Sequence, residues 1–265
     1  MKVLFGTYIG NNRVLVSTKW GGMLLVNSSD LSLTPTLIIN GIYDVGLTNY
    51  LIKNIKNGDT VVDIGANIGY FTVLMGYLVG NDGKVISYEA NPNLIPLIQD
   101  NISMNYIGNR VKIYNKAIYS DFKKLSFYIT DKFMGNSSLH KHDDGYLNKY
   151  KGDSIKEIQV DAEPLDAIYD NIDKITFLKI DIEGGEYHAL KGMEKLLASG
   201  KIETLSFELN RGMLQDDWNL LYEFLKIHNE MHYYILNNNG DIISISLDDI
   251  FRHDEIPNVI IKIKI

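Results

Sequence analysis

Hydrophobic positions along the chain alternate between runs typical of buried strands and stretches with helical spacing. Short β-branched runs such as Val61–Ile64 suit strands that are buried on both faces of a parallel sheet. The stretch 44–56 instead has apolar residues spaced along one helical face and ends at Asn57–Gly58. Repeated alternation of this kind predicts an α/β fold with helices on both faces of a parallel sheet.

The predicted elements run from an N-terminal hairpin within residues 1–30 to a closing strand. Helices are expected at 44–56, 68–79, 93–105, 165–171, 184–198 and 213–228. Strands are expected at 60–64, 84–89, 111–115, 124–129, 156–161, 175–181, 203–208, 231–236 and 258–264. No long helix joins the last two strands, which favours antiparallel pairing between them. The long polar stretch 131–153 is predicted to be a functional or mobile loop.

The most informative stretch is TVVDIGANIGYF at 60–71, together with Glu89 at the end of the next apolar run. A strand, a glycine turn and a helix form a nucleotide site, because glycines let backbone N–H groups approach a ligand. A carboxylate at the end of the second strand can accept hydrogen bonds from ribose hydroxyls. The glycine spacing differs from the dinucleotide pattern G-x-G-x-x-G, and Asp63 precedes the turn. An Asp here favours a ligand with an ammonium group, such as S-adenosylmethionine, over NAD or FAD.

A second group of charges surrounds the end of the strand in FLKIDIEGGEYHAL, residues 177–190. Asp181 and Glu183 lie near the carboxyl end of this strand, where open α/β sheets bind ligands. The following strand ends in the same way, with Glu208 and Asn210. Carboxylates in such a place can bind a cation, act as a base or hold a substrate hydroxyl.

Six segments, in this order, resemble the FkbM family of S-adenosylmethionine-dependent methyltransferases: VVDIGANIGYFTVLMG, SYEANP, NKAIYSD, GNSSL, FLKIDIEGGEYHALKG and LSFELN. The resemblance covers about residues 40–210. It implies a Rossmann-like, doubly wound, seven-stranded and mainly parallel sheet, the class I methyltransferase fold, with a small N-terminal β/α extension. We expect the hairpin and cap extension at 1–43 and the methyltransferase domain at 44–265.

The resemblance implies the cofactor contacts, whereas the catalytic and acceptor residues follow from the acidic strand ends and from the polar loop 131–153. Asp181, Glu183 and Glu208 are the expected catalytic residues, and Ser137, Ser138 and His140 the expected acceptor contacts. The residues expected to bind the cofactor are Asp63, Gly65, Ala66, Asn67, Gly69, Tyr70, Glu89, Ala90, Asn91, Asn115 and Ala117. A magnesium site formed by Asp181, Glu208 and Asn210 is a further hypothesis, since a metal would acidify the acceptor hydroxyl.

The predicted activity is methyl transfer to an acceptor hydroxyl, above all on a sugar in a glycan or another natural product. Two alternatives stay open: methylation of nitrogen in a small molecule or peptide, and a silent binding module that keeps the cofactor fold. An NAD-linked epimerase or dehydrogenase is disfavoured, because YLNKY at 146–150 spaces Tyr146 and Lys149 three apart, not four.

Composition narrows the partners and the compartment. The 265 residues include 26 Lys and Arg, 33 Asp and Glu, and no Cys, for a net charge of −7. So acidic a chain, without long basic runs, is not expected to bind nucleic acid by phosphate neutralisation. Its apolar stretches are strand-sized, so no membrane span is expected. Without a recognisable secretory signal, a cytoplasmic location is expected. The 17 Tyr suit amphipathic packing and also offer platforms for sugars.

Overall fold

The computed structural model describes residues 5–142, 144–228 and 230–263. Residues 1–4 of the predicted extension, residue 143 of the predicted loop, and residues 264 and 265 lie outside the described part. The strands are β1 Gly6–Gly10, β2 Arg13–Ser17, β3 Met23–Asn27, β4 Thr60–Ile64, β5 Lys84–Tyr88, β6 Val111–Tyr114, β7 Ala117–Ile118, β8 Lys123–Thr130, β9 Ile155–Glu163, β10 Phe177–Ile180, β11 Thr204–Asn210, β12 Met231–Leu236, β13 Ile242–Ser244 and β14 Glu255–Ile263.

Helices separate most of the strands of the main sheet. The α-helices are α1 Thr34–Asn40, α2 Val45–Asn54, α3 Tyr70–Leu78, α4 Ile95–Met104, α5 Asp144–Lys149, α6 Glu186–Lys191, α7 Glu194–Ala198, α8 Arg211–Leu214, α9 Asp217–Lys226 and α10 Leu247–Ile250. Two 3₁₀ helices span Met134–Asn136 and Leu165–Asn171. The helices predicted at 184–198 and 213–228 are each broken in two, near Gly192 and near Gln215, whose φ is +48°.

The main sheet confirms the predicted doubly wound α/β fold. Its strand order is β13-β12-β14-β11-β10-β4-β5-β6, in which β11, β10, β4, β5 and β6 pair in parallel. Strand β14 runs antiparallel between β11 and β12, as expected for the closing strand. The sheet has eight strands and not seven, because β13 adds an edge strand beside β12.

Two predicted strands lie outside the main sheet. Strands β8 and β9, predicted at 124–129 and 156–161, pair antiparallel, and β7 joins β9 in parallel. The three form a separate sheet in the order β7-β9-β8. The apolar pattern identified both strands, but it contains no information about which neighbour each one pairs with.

Side chains from successive residues of β4 pack into different cores, as a strand buried on both faces requires. Val61 packs in a cluster with α2, α3 and α4. Val62 and Ile64 pack in a second cluster, on the opposite face, with α6, α7 and α9. The sheet is therefore covered by helices on both faces, and the carboxyl ends of its parallel strands meet along one edge.

The N-terminal strands β1–β3 form a small antiparallel sheet of their own. It is attached to α4 through asparagine amides: Asn101 and Asn105 exchange hydrogen bonds with the backbone of β3 at Leu25 and Met23. The proposed domain division at residue 43 stays a prediction. Among the described residues, no helix is long and apolar enough to cross a membrane.

Candidate active site

A cavity of about 870 Å³, including its open mouth, lies at the carboxyl ends of β4, β5 and β10. Its walls come from the glycine loop after β4, the end of β5, the β7–β9 sheet and the turn after β10. Of the predicted site residues, those that line this cavity are Gly65, Ala66, Asn67, Tyr70, Glu89, Ala90, Ala117, Ser137, Asp181 and Glu183. The glycine motif with Glu89 and the acidic turn after β10 therefore line the same cavity.

Gly65 is the point at which the glycine loop contacts the acidic turn after β10. Its φ of +81° is accessible to glycine, and a Cβ there would lie 1.9 Å from the carbonyl oxygen of Asp181. The Asp181 N–H donates to the carbonyl of Ile64 at 3.1 Å. A side chain at position 65 would push apart the ends of β4 and β10, so glycine is required here for packing as well as for the turn.

The glycine loop is held by hydrogen bonds within the protein. The N–H groups of Gly65 and Ala66 both donate to the carbonyl of Tyr88, and that of Gly69 donates to Ala66. The Asn67 N–H donates to Glu89 Oε2 at 2.7 Å. The expectation that these N–H groups point at a ligand is therefore wrong. These N–H groups instead hold the loop together, and Gly65, Ala66 and Asn67 line the cavity.

Glu89 is fixed at the end of β5 by two backbone donors. Besides the bond from Asn67, its Oε1 accepts from the Asn91 N–H at 2.7 Å. Burial raises the pKa of Glu89 to about 7, although both hydrogen bonds act in the opposite direction. Each carboxylate oxygen keeps a lone pair for a further donor. Glu89 is thus held in place at the cavity wall with acceptor capacity to spare, and its contact with a ribose stays a prediction.

The structure does not place Asp63 at the cavity wall. Its carboxylate is fully buried, accepts a hydrogen bond from Thr72 Oγ1 at 2.6 Å, and lies 3.5 Å from Lys179 Nζ. Lys179, itself 3% exposed, lines the cavity and also lies 3.4 Å from Asp181 Oδ2. Burial raises the pKa of Asp63, and Lys179 opposes this shift. Asp63 therefore acts on the site through Lys179 and does not contact the cavity directly.

Three other predicted cofactor residues lie outside the cavity lining and hold the residues that form it. The Asn115 Nδ2 donates to the carbonyls of Glu89 and Ala90, and so holds the loop after β5. Asn91 is buried and donates to Glu89, while Gly69 is the N-cap of α3 with φ +85°. None of the three lines the cavity. Their roles are to position Glu89 and the glycine loop.

Carboxylates crowd the other end of the cavity, where Asp181 and Glu183 line it and Glu208 lies beside them, outside the lining. Ligand oxygens of Asp181, Glu183 and Glu208 all lie within 4.8 Å of one another. Burial, followed by repulsion from Asp181 and Glu186, raises the pKa of Glu208 to about 8. Burial, Glu208 and Asp181 also raise the pKa of Glu183 well above its ordinary value. These groups can therefore hold or accept a proton near neutral pH, as a base for an alcohol must.

The turn after β10 is shaped to direct these carboxylates. Glu183 has a φ of +57°, which is rare for a residue with a side chain, and Gly184 follows at +107°. A Cβ at Gly184 would lie 2.4 Å from the carbonyl oxygen of Met213. Glu186 closes the turn by accepting a hydrogen bond from the Ile182 N–H at 3.2 Å. The positive-φ backbone brings Glu183 back over the end of the sheet.

Asn210, a predicted magnesium ligand, caps a helix. Its Oδ1 accepts from the N–H groups of Gly212 and Met213, and it therefore caps α8. The carboxylates that the structure brings together are Asp181, Glu208 and Glu183, so Glu183 replaces Asn210 in the predicted set. Three oxygen donors at this spacing suit a hard cation.

The predicted acceptor loop forms one wall of the cavity, although two of its three named residues have structural roles. Ser137 lines the cavity. Ser138 is fully buried, donates to the Glu183 carbonyl at 2.7 Å and accepts from the His140 N–H. The His140 ring nitrogen Nε2 lies 3.1 Å from the Gly184 carbonyl. Ser138 and His140 therefore tie this loop to the acidic turn, and its closure over a substrate stays a prediction.

Tyr43 is a cavity residue that the sequence did not indicate. Its ring packs edge-on against Tyr70, and its pKa is raised by burial and then by Asp181, Asp44, Glu183 and Glu208. The phenol therefore stays protonated at neutral pH. Tyr43 precedes the capping residue of α2, and no motif marks it, because its position depends on how the N-terminal segment packs onto the domain.

Comparison with known proteins identifies the family of this chain. A sequence profile described as the methyltransferase FkbM domain matches residues 63–243. The chain is 24% identical over 172 residues to Methyltransferase sdnD of Sordaria araneosa, covering 55% of this chain and 64% of that protein. It is also 24% identical over 159 residues to Methyltransferase 1 of Beauveria bassiana, covering 55% and 62%. The matches thus span less than two thirds of either relative.

A solved structure from the same family is also similar. The methyltransferase FkbM from Methylobacillus flagellatus KT has 17% sequence identity and a TM-score of 0.48, covering 78% of this chain and 43% of that one. The profile match extends over more than half of the sequence and includes the glycine loop, Glu89 and the acidic turn. The chain therefore belongs to the FkbM family of methyltransferases.

Proposed function

We propose that this protein transfers the methyl group of S-adenosylmethionine to a hydroxyl oxygen of a sugar, in a glycan or another natural product. One observation supports this above the others. A single cavity has Glu89 on one wall and Asp181 and Glu183 on another. Family membership supports a methyltransferase, and the names Methyltransferase sdnD and Methyltransferase 1 state no acceptor.

The cofactor is expected to lie across the glycine loop. Its ribose hydroxyls would donate to Glu89, and its adenine would lie between Ala90 and Ala117. Its sulfonium end would then reach the side of the cavity where Lys179 and Asp181 meet. A positively charged sulfonium is favoured beside several carboxylates of which Lys179 neutralises only part.

The reaction needs alignment and a proton acceptor. The acceptor oxygen attacks the methyl carbon in line with the carbon–sulfur bond, which breaks to leave S-adenosylhomocysteine. The hydroxyl proton passes to a carboxylate of the acidic cluster. An ordinary carboxylate is a weak base for an alcohol, and the raised pKa values of Glu183 and Glu208 reduce this mismatch. Asp181, beside them, is placed to orient the hydroxyl.

Magnesium is a separate hypothesis within this proposal. Asp181, Glu183 and Glu208 have the oxygen donors that magnesium prefers, and the ion would acidify the acceptor hydroxyl. The proton transfer above requires only the side chains of this chain. Comparing initial rates with and without a chelator tests the ion: an unchanged rate rejects it.

The test of the proposed function uses S-adenosylmethionine with a ¹³C-labelled methyl group and glycan extracts as acceptors. We expect a new O-methyl resonance on a sugar, formed by the wild type and not by Asp181→Asn. A label found on nitrogen would support the alternative of N-methylation and contradict the sugar hydroxyl. Binding of S-adenosylhomocysteine without any transfer would instead indicate a silent module.

A further inference from the structure

A second cavity, of about 960 Å³ including its open mouth, adjoins the first. It lies where three parts of the fold meet: the β1–β2 turn with the end of β3, the start of α4, and the facing ends of β8 and β9. Leu94 and Met134 line both cavities, so the two cavities meet at these side chains. We call this second cavity the asparagine groove.

Five asparagines line the groove: Asn11, Asn12, Asn27, Asn91 and Asn93. Part of this enrichment reflects local turns. Asn11 and Asn12 have positive φ values of 51° and 56°, as a tight hairpin turn requires. The Oδ1 of Asn27 accepts from Ser29, and that of Asn91 accepts from the Asn93 N–H.

Turn formation does not use all of these amides. Among the described residues, none hydrogen-bonds the side chains of Asn11, Asn12 or Asn93. Asn27 is different, because its amide nitrogen donates to the Met134 sulfur at 3.9 Å. An amide both donates and accepts, and therefore matches a hydroxyl, which does the same. A row of such groups suits a ligand that carries many hydroxyls.

Charge in the groove is small and slightly positive. Arg13 is paired with Asp100, whereas Lys156 makes no ion pair with any described residue. Asp131 contributes one carboxylate. Such a balance is compatible with a neutral or a mildly acidic ligand, and it contrasts with the crowded carboxylates of the active site.

The floor of the groove is aliphatic. Leu94, Leu97 and Ile129 supply it, with Leu94 and Leu97 5% and 8% exposed. A concave site with an apolar floor and a few polar groups at its edge is the usual form of a small-ligand site. The C–H face of a sugar ring can pack on such a floor while its hydroxyls reach the amides.

We propose that the asparagine groove binds an oligosaccharide chain, the part of the acceptor that is remote from the methylated hydroxyl. This extends the proposed function and rests on it. The groove fixes the chain by amide–hydroxyl hydrogen bonds and by Lys156, and the adjoining cavity receives the sugar that is methylated. Binding remote from the reacting atoms helps to align them.

The test measures oligosaccharide binding separately from chemistry. The probes are four hexasaccharides, of glucose, galactose, N-acetylglucosamine and glucuronic acid, titrated by calorimetry into protein saturated with S-adenosylhomocysteine. We expect at least one to bind at about 1 mM or below, and to bind about fivefold to tenfold more weakly to Asn93→Leu and to Lys156→Met. Affinity for S-adenosylhomocysteine should not change in either variant. Asn239→Leu, an exposed asparagine on the turn between β12 and β13, is the matched control and should bind like the wild type.

The outcomes separate the two proposals. If none of the four binds, or if Asn93→Leu and Lys156→Met bind as tightly as Asn239→Leu, the groove is a hydrated crevice and the inference is overturned. If binding depends on the groove but no methyl group is transferred to any acceptor, the groove stands as an oligosaccharide site and the proposed function fails. If the wild type does not bind S-adenosylhomocysteine, the proposed methyl transfer is contradicted, and the oligosaccharide proposal is then judged on the protein without it.

Discussion

The two ends of the cavity handle their carboxylates differently. At the end of β5, Glu89 has a backbone donor on each oxygen, and Asp63 nearby is enclosed with Lys179 and Thr72. At the ends of β10 and β11, Asp181, Glu183 and Glu208 lie within reach of one another, and Lys179 is close to Asp181 alone among the three. The first end is preorganised, whereas the second keeps an electrostatic repulsion that a proton or a cation relieves.

This difference assigns separate tasks to the two ends. A preorganised carboxylate suits a cofactor that must bind in the same way at every turnover. A cluster with raised pKa values suits a proton that must be taken up and released. Substitutions at the β5 end should therefore change affinity for the cofactor, and substitutions at the β10–β11 end should change turnover.

The largest expected effect is on turnover in Asp181→Asn. The amide keeps the shape of the side chain but loses the charge that orients the acceptor, so kcat should fall by roughly 10²–10⁴. Affinity for S-adenosylhomocysteine should change little. Asp173→Asn, an exposed site before β10, serves as the control and should keep full activity. Loss of cofactor binding in Asp181→Asn would move Asp181 to the cofactor end.

The next effect is on cofactor affinity in Glu89→Ala. Removal of the carboxylate takes away the ribose acceptor and also frees the N–H groups of Asn67 and Asn91. Binding of S-adenosylhomocysteine should weaken by roughly 1.5–3 kcal/mol, as measured by calorimetry. Glu223→Ala, on an exposed face of α9, should bind normally. Equal affinities in the two variants would reject the assignment of Glu89 to the ribose.

A smaller effect, on stability, is expected for Ser138→Ala. The buried hydroxyl joins the acceptor loop to the acidic turn by two hydrogen bonds. Its loss leaves the Glu183 carbonyl and the His140 N–H without their partner, so the free energy of unfolding should fall by about 1–3 kcal/mol. Chemical denaturation measures it against Ser126→Ala, a half-buried serine on β8 whose hydrogen bonds lie at the surface. Similar losses in both variants would mean that Ser138 does not hold the turn.

The smallest effect is a pH dependence of stability at Glu208. Its pKa is raised from 4.5 to about 8 in the folded protein, so the native state binds more protons than the unfolded state between these values. The free energy of unfolding that this group contributes is therefore lost as the pH rises through about 8. Glu208→Gln cannot lose a proton, and its melting temperature relative to the wild type should rise between about pH 6 and about pH 9. A constant difference across this range would contradict the raised pKa, and Glu223→Gln is the control.

Local motifs predicted much of the site. The turn after Asp63, Glu89 and the acidic turn at Asp181 and Glu183 each depend on a few consecutive residues, and parallel strands bring their carboxyl ends together. The doubly wound sheet followed from the same alternation. Prediction was sound where neighbours in sequence determine the geometry.

Contacts between distant residues were harder to predict. Lys179 lies opposite Asp63 in the register of β10 and β4, and this pairing withdraws Asp63 from the cavity. Tyr43 reaches the cavity from outside the motifs, and Ser138 is used to hold the turn. The pattern of apolar residues determines that a strand forms, but neither its partner nor the side chains that its register brings together.

The most direct test of the two-ended cavity is a crystal structure with S-adenosylhomocysteine bound. We predict that the ribose hydroxyls lie within hydrogen-bonding distance of Glu89 and that the sulfur is directed toward Asp181, Glu183 and Glu208. A ribose placed away from Glu89, or a sulfur directed toward Ala117 and away from the acidic cluster, would contradict the separation of cofactor binding and proton transfer between the two ends.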